Sequence, residues 1–291
     1  MTNQNRKGII AFLLLSFGIA WAAWLITFAL GILPRDPRYQ LWGTIPGFAP
    51  ALAAILVRQF VTREGFGDAG WWPRFRHWRY YLCAWWLPLL VAPVIIVLAS
   101  ISGLSQPDFT LQRAFAQPEL GSTTPPDFLV ALSPWGIFLP FLFLCLISTP
   151  ILWGEEFGWR SYLQIRLFAD QPLKAAIVTG LLWGFWHAPF ILAGGNFPDA
   201  PVLGLFVFPV TTTLWSIIFG WLRLKTGSSW PSAVAHAATN SLGSVWLSLL
   251  FYGGPNSNLV SYGSVLAWIP LGLICGGLIL SGQLQGEQAV E

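Results

Sequence analysis

Long apolar runs govern what this chain can fold into. A helix needs about 20 mostly apolar residues to cross the hydrocarbon of a bilayer, which is roughly 30 Å thick. The chain offers eight candidates: 8–33, 41–57, 80–100, 135–154, 175–193, 202–222, 231–251 and 260–280. The second is the shortest and carries Pro46 and Pro50, which predicts a kinked or re-entrant helix there. Only 9% of the 291 residues are charged, against about 25% in soluble domains. A core of this length has no room for so much apolar surface, whereas a bilayer does. The 18 Trp residues suit the membrane–water interface, where an apolar ring and a polar N–H both find partners. The expected fold class is all-α: a polytopic transmembrane helical bundle of about eight spans, forming a single membrane domain over 1–291.

The basic residues orient it. With the N-terminus in the cytoplasm, twelve Lys and Arg fall on cytoplasmic segments and three, Arg35, Arg38 and Arg113, on outer loops. That asymmetry predicts an N-in, C-in arrangement. The first apolar run follows Arg6 and Lys7 and is too long for a signal-peptide core, so it reads as a retained span. The basic stretch 74–79, interleaved with Trp71, Trp72, Phe75 and Trp78, suits an anchor on anionic lipid rather than a nucleic-acid patch. A net charge of +3 likewise suggests no nucleic-acid partner. Cys83, Cys145 and Cys275 are far apart in apolar runs, with no CxxC, so neither a disulfide framework nor a zinc ribbon is indicated. The loop 102–134, with Pro107, Pro118, Pro125 and Pro126, is expected to lack firm structure, and the acidic tail after Gly282 is expected to fray. The Ala-, Gly- and Trp-rich, Lys-poor composition points to an integral protein of a bacterial cytoplasmic (inner) membrane.

Charged or titratable groups inside spans cost several kcal/mol and mark function or pair with one another. Here they are few: Glu155, Glu156 and Arg160 at the cytoplasmic end of the fourth run, His187 in the fifth, and His236 and Asn240 in the seventh. Glu156 and Arg160 are i,i+4, acid first, the favourable order for a helix ion pair. Glu155 points roughly 100° away and is free to face a cavity. His236 and Asn240 share a helix face and can aim two hydrogen bonds at one point, as an oxyanion hole requires. Each feature alone has an ordinary structural reading, as a helix-end salt bridge or an interhelical hydrogen bond. His77, among Arg and Trp at the interface, is read as structural.

Together they form a pattern. Glu155-Glu156-Phe157-Gly158-Trp159-Arg160 resembles the EExxxR motif of the CPBP family, which includes the type II CAAX prenyl endopeptidases and bacterial Abi-type proteins. Trp183-Gly184-Phe185-Trp186-His187 resembles its FxxxH motif, with Trp183 in place of Phe, and His236-Ala237-Ala238-Thr239-Asn240 matches HxxxN. The resemblance covers roughly 135–251, the expected catalytic core. Trp183 is expected to preserve a pocket wall without touching the chemistry.

The resemblance implies an intramembrane endopeptidase acting on a peptide or protein substrate near the bilayer. Glu155 would be the general base that activates water, and His187 would hold that water. His236 and Asn240 would stabilise the oxyanion, while Glu156 and Arg160 shape the site. No cofactor is favoured. Zinc is the rival within the enzyme class, with Glu155, His187 and His236 as a His₂Glu set that leaves a fourth position open; there is no HExxH to signal it. From other classes, the alternatives are a catalytically idle scaffold or immunity protein, and a proton-coupled transporter, although no inverted repeat is visible.

Overall fold

The computed structural model describes residues 2–116, 135–241, 246–256 and 259–285, and among these the regular elements are all helical. Helix α1 (Asn3–Ala29) starts where the Thr2 hydroxyl accepts the Asn5 N–H at 3.2 Å. The second apolar run breaks into α2 (Tyr39–Trp42), α3 (Thr44–Gly47) and α4 (Ala49–Leu56), the last continuing as a π-helical turn, Val57–Val61. The break at Phe48 is the kink that Pro46 and Pro50 predict, since Pro50 has no N–H to extend the ladder. Then come α5 (Trp78–Ile101), α6 (Gln112–Phe115) and α7 (Trp135–Gly158) with its π-helical extension Trp159–Gln164. They are followed by α8 (Pro172–Trp186), α9 (Ala188–Leu192) and α10 (Pro201–Thr226). Last are α11 (Trp230–Ala238), α12 (Trp246–Phe251) and α13 (Trp268–Leu280).

The structure shortens or interrupts several expected runs. Helix over 175–193 stops at His187, because Pro189 cannot donate to the Phe185 carbonyl and its ring would clash there. The last run begins as a helix only at Trp268, after a 3₁₀ turn at Val265–Ala267. The expected unstructured loop is ordered in its first part. Asp108 accepts the Thr110 N–H (3.0 Å) and the Arg113 N–H (2.8 Å), and its own N–H binds the Leu250 carbonyl (2.7 Å). The rest of that loop, 117–134, and the end of the tail lie outside the described residues. Among the described residues, four segments are long and apolar enough to cross a membrane: Asn3–Ala29, Thr44–Val61, Phe75–Ile101 and Pro201–Thr226.

The bundle has the inverted surface of a membrane protein. Leu14, Leu90, Phe143, Phe206 and Leu273 are each about 70% exposed or nearly so, whereas Ser16, Thr211, Thr212, Ser216 and Ser232 are buried. With lipid outside, leucine gains little by turning inward, and small hydroxyl residues let backbones approach and share hydrogen bonds. Two glycine pairs at i,i+4 show this. Gly180 and Gly184 of α8 lie against Pro209, Thr212 and Thr213 of α10, and the Thr212 hydroxyl donates to the Gly180 carbonyl at 2.9 Å. Gly154 and Gly158 of α7 lie against Gly47, Phe48 and Pro50. The second pair brackets Glu155 and Glu156, so α3 and α4 clamp the segment that carries both acids.

Candidate active site

The Glu156–Arg160 pair forms as the spacing predicts: Arg160 Nε donates to Glu156 Oε2 at 2.9 Å, and both side chains are fully buried. The other carboxylate oxygen reaches a different helix, where His236 Nδ1 lies 3.0 Å from Glu156 Oε1. Glu156 is thus the hub between α7 and α11. The π-helical turn after Gly158 helps to set this up, because Arg160 and Gln164 both turn inward. Arg160 Nη1 donates to the Ser216 hydroxyl of α10, which itself donates to the Ala176 carbonyl of α8 at 2.6 Å. Arg160 also lies over the Trp183 ring, 5.0 Å from its centroid. One guanidinium therefore ties α7, α8 and α10 together beneath the site.

Glu155 faces the other way, as the helical angle requires, and lines a cavity of about 580 Å³. His187, His236 and Asn240 line the same cavity, so four of the six candidate residues share one space, with Glu156 and Arg160 packed behind them. Asn240 is exposed to the cavity side, at a π-helical turn that follows α11.

The helix break at His187 has a chemical consequence. Ending α8 there frees carbonyl groups that need donors. The Trp183 carbonyl lies 2.8 Å from His187 Nδ1, and the Trp186 carbonyl accepts the Trp21 indole N–H at 2.9 Å. A carbonyl can only accept, so His187 Nδ1 carries the hydrogen, and Nε2 of the neutral ring is left as an acceptor. Trp24 lies beside this ring at 6.1 Å, and Phe190 stacks on Trp24 at 6.1 Å and on Tyr39 at 5.5 Å, giving the cavity an aromatic wall.

The expectation for Trp183 is corrected. It is more than a wall: its indole Nε1–H donates to Glu155 Oε2 at 2.8 Å, while its face supports Arg160 and its edge meets His236 at 5.1 Å. A phenylalanine in the same place has no N–H to offer. The departure from FxxxH was the available signal, and ring size alone did not convey its meaning. Ser216 and the aromatic Tyr39 and Phe190 carried no such signal. The two glycine pairs, Gly154/Gly158 around the acids and Gly180/Gly184 on α8, were legible as small-xxx-small spacings.

Among the described residues, no three His, Cys, Asp or Glu side chains are grouped closely enough to hold a metal ion. The His₂Glu set therefore shares a cavity without forming a ready-made ligand cluster.

Residues 134–242 match the model of a protein family described as type II CAAX prenyl endopeptidase, Rce1-like. The match begins beside α7 and ends just after Asn240, so it contains all six candidate residues. No curated protein matches the chain.

Proposed function

We propose, from the CPBP-family membership that the match over 134–242 supports, that this chain is an intramembrane endopeptidase using a glutamate-activated water. The family match supports a protease acting on a peptide or protein at a lipid bilayer. The finer reading has both termini in the cytoplasm of a bacterial inner membrane, about eight spans in one domain, and a catalytic core at 135–251.

One observation carries the mechanism: two adjacent glutamates have opposite surroundings. Glu156 is enclosed by Arg160 and His236, while Glu155 faces the cavity with one oxygen held by the Trp183 N–H. A carboxylate fixed in direction yet open to a water-sized space suits a general base, which must lie within hydrogen-bond reach of the proton it takes. In this reading Glu155 takes a proton from water, and the resulting hydroxide attacks the peptide carbonyl. The Nε2 acceptor of His187 orients that water. His236 Nε2–H and the Asn240 amide stabilise the oxyanion. That role requires His236 in its imidazolium form, for which Glu156 is the counter-ion. With Glu155 ionised, the two acids then balance Arg160 and His236. Glu155 finally returns the proton to the leaving amine.

The test compares membrane peptides from cells carrying wild type and Glu155→Gln, with zinc measured in the purified protein. Peptides found only with the wild type are expected, together with cleavage that survives strong chelators. Identical peptide sets would favour the idle-scaffold reading. One zinc per chain, lost along with activity in His187→Ala, would favour the metallopeptidase.

A further inference from the structure

Arg223 carries a buried charge that no carboxylate among the described residues offsets directly. It sits in the last turn of α10 and is only 8% exposed. Its Nε donates to the Ser161 hydroxyl and its Nη2 to the Asp68 main-chain carbonyl, both at 2.9 Å and both neutral acceptors. Nη1 has no hydrogen-bond partner among the described residues. The acids of the neighbouring segment are already in use. The Asp68 carboxylate holds Arg58 at 2.9 and 3.0 Å and meets Arg166 at 3.5 Å, and Glu64 holds Arg166 at 2.7 Å. A guanidinium taken out of water is costly unless an opposite charge faces it.

A second arginine converges on the same place. Residues 70–72 run beside 228–230, held by the Ser229 N–H on the Gly70 carbonyl (3.0 Å), the Ser228 hydroxyl on the Trp72 carbonyl (2.8 Å) and the Trp230 indole N–H on the Trp71 carbonyl (2.7 Å). Gly70 and Gly227 meet at this seam, both with positive φ, +59° and +63°. A Cβ on Gly70 would stand 3.0 Å from Arg223 Cζ, and one on Gly227 would stand 2.5 Å from Arg74 Nη1. Two glycines thus let two guanidinium groups lie against one backbone seam. The Arg74 main-chain N–H donates to the Tyr81 hydroxyl at 3.1 Å, while its side chain has no ion pair among the described residues. Four arginines, 58, 74, 166 and 223, therefore share two acids, Glu64 and Asp68.

The surroundings point to the ligand. Trp71, Trp72, Phe75 and Trp78 flank Arg74 in the chain and are 41%, 67%, 72% and 55% exposed. Exposed indole rings beside arginines suit the interfacial layer of a bilayer, where headgroup phosphates lie. Guanidinium N–H groups match phosphate oxygens in geometry and give charge-assisted hydrogen bonds. We propose that Arg74 and Arg223 bind the phosphate of one anionic phospholipid. The headgroup supplies the counter-ion that Arg223 lacks and fastens residues 70–74 to the end of α10. This is a single site and not a general attraction of 74–79 to a charged surface. Arg76 is engaged with His77 at 2.9 Å, Arg79 lies over the Trp78 ring, and neither takes part. The site does not depend on the peptidase reading.

The experiment uses the full chain, delipidated in a neutral detergent, with phosphatidylglycerol, phosphatidylcholine or inorganic phosphate added back. Native mass spectrometry counts bound lipid, and thermal unfolding reads the stabilisation that binding to the folded state must give. Phosphatidylglycerol is expected to bind once per chain and to raise the unfolding midpoint, with little shift from the other two. Arg74→Gln keeps its main-chain contact and should weaken phosphatidylglycerol binding at least roughly tenfold, the weight of a hydrogen bond to a charged group. Arg76→Gln and Arg79→Gln should each bind as wild type does. Arg223→Gln should lose the lipid shift; if that buried change prevents folding, Arg74→Gln decides. Equal weakening by the Arg74, Arg76 and Arg79 variants would reduce the site to diffuse surface charge and overturn the proposal. Equal stabilisation by phosphatidylcholine, or full stabilisation by inorganic phosphate alone, would overturn the assignment to an anionic lipid. A wild type that binds no phosphatidylglycerol until Glu287→Gln and Glu291→Gln are introduced would assign the counter-ion to the acidic C-terminal segment instead.

Discussion

Replacing Glu156 by Gln should damage the fold far more than the same change at Glu155, one residue away. Glu156 accepts from two donors on two helices, Arg160 Nε at 2.9 Å and His236 Nδ1 at 3.0 Å, with no solvent exposure at Glu156 or Arg160. A glutamine offers one acceptor and one NH₂, so one donor loses its partner and meets another N–H. Arg160 already has one buried nitrogen, Nη2, without a hydrogen-bond partner, so its charge has little else to lean on. Removing one member of a buried pair costs about 3–5 kcal/mol. Arg160→Gln should cost a similar amount by leaving the Glu156 carboxylate with His236 as its one remaining donor. The double variant removes both charges together and should fall short of the summed losses by about 0.5–3 kcal/mol, the usual range for residues in contact. Glu155→Gln should stay within about 1 kcal/mol of wild type, because its amide oxygen can still accept the Trp183 N–H. The assay is reversible denaturant unfolding in detergent, with helix content as the readout. Losses for the Glu156 and Arg160 singles that add to within about 0.5 kcal/mol, or equal losses for the Glu155 and Glu156 variants, would refute the division of labour.

Trp183→Phe keeps the ring but deletes the donor at 2.8 Å from Glu155. A hydrogen bond to a charged group contributes about 1.5–3 kcal/mol, so Glu155-dependent cleavage should fall at least roughly tenfold, and an unchanged rate would exclude a positioning role. At Gly158 an added Cβ would overlap the backbone of Pro50; Gly158→Ala should cost about 1–3 kcal/mol through overpacking, and wild-type stability in detergent would show that α4 does not clamp α7. In the segment after the π-helical turn Val57–Val61, burial alone would raise the Asp68 carboxyl, but hydrogen bonds and charge from Arg58, with the charge of Arg166, hold it below its ordinary value. A carboxyl lowered in the fold contributes stability above its unfolded value of about 3.9, and that stability is lost as pH falls through this region. Asp68 is 58% exposed, so the effect should be small: Asp68→Asn should flatten part of the stability loss between roughly pH 5 and pH 3, and an identical pH slope would remove the inference.

Periodicity and composition determined a great deal by themselves. The all-helical class follows from apolar runs that only a bilayer can accommodate, and the Glu156–Arg160 contact follows from i,i+4 spacing on one helix. The 100° offset of Glu155 follows from the same geometry. These are local facts, set by residues within one or two turns of each other. Tertiary structure decided what depends on several helices meeting. The His236–Glu156 contact spans 80 residues, and the Trp183–Glu155 hydrogen bond joins two helices that Gly154 and Gly158 seat against α3 and α4 and that Gly180 and Gly184 seat against α10. The break at His187 was written in Pro189. Its use, a ring nitrogen turned back onto the Trp183 carbonyl so that the other nitrogen is left as an acceptor, appears only once α8 has a definite end. A one-dimensional pattern records which face of a helix is apolar; the space between helices is a property of their packing.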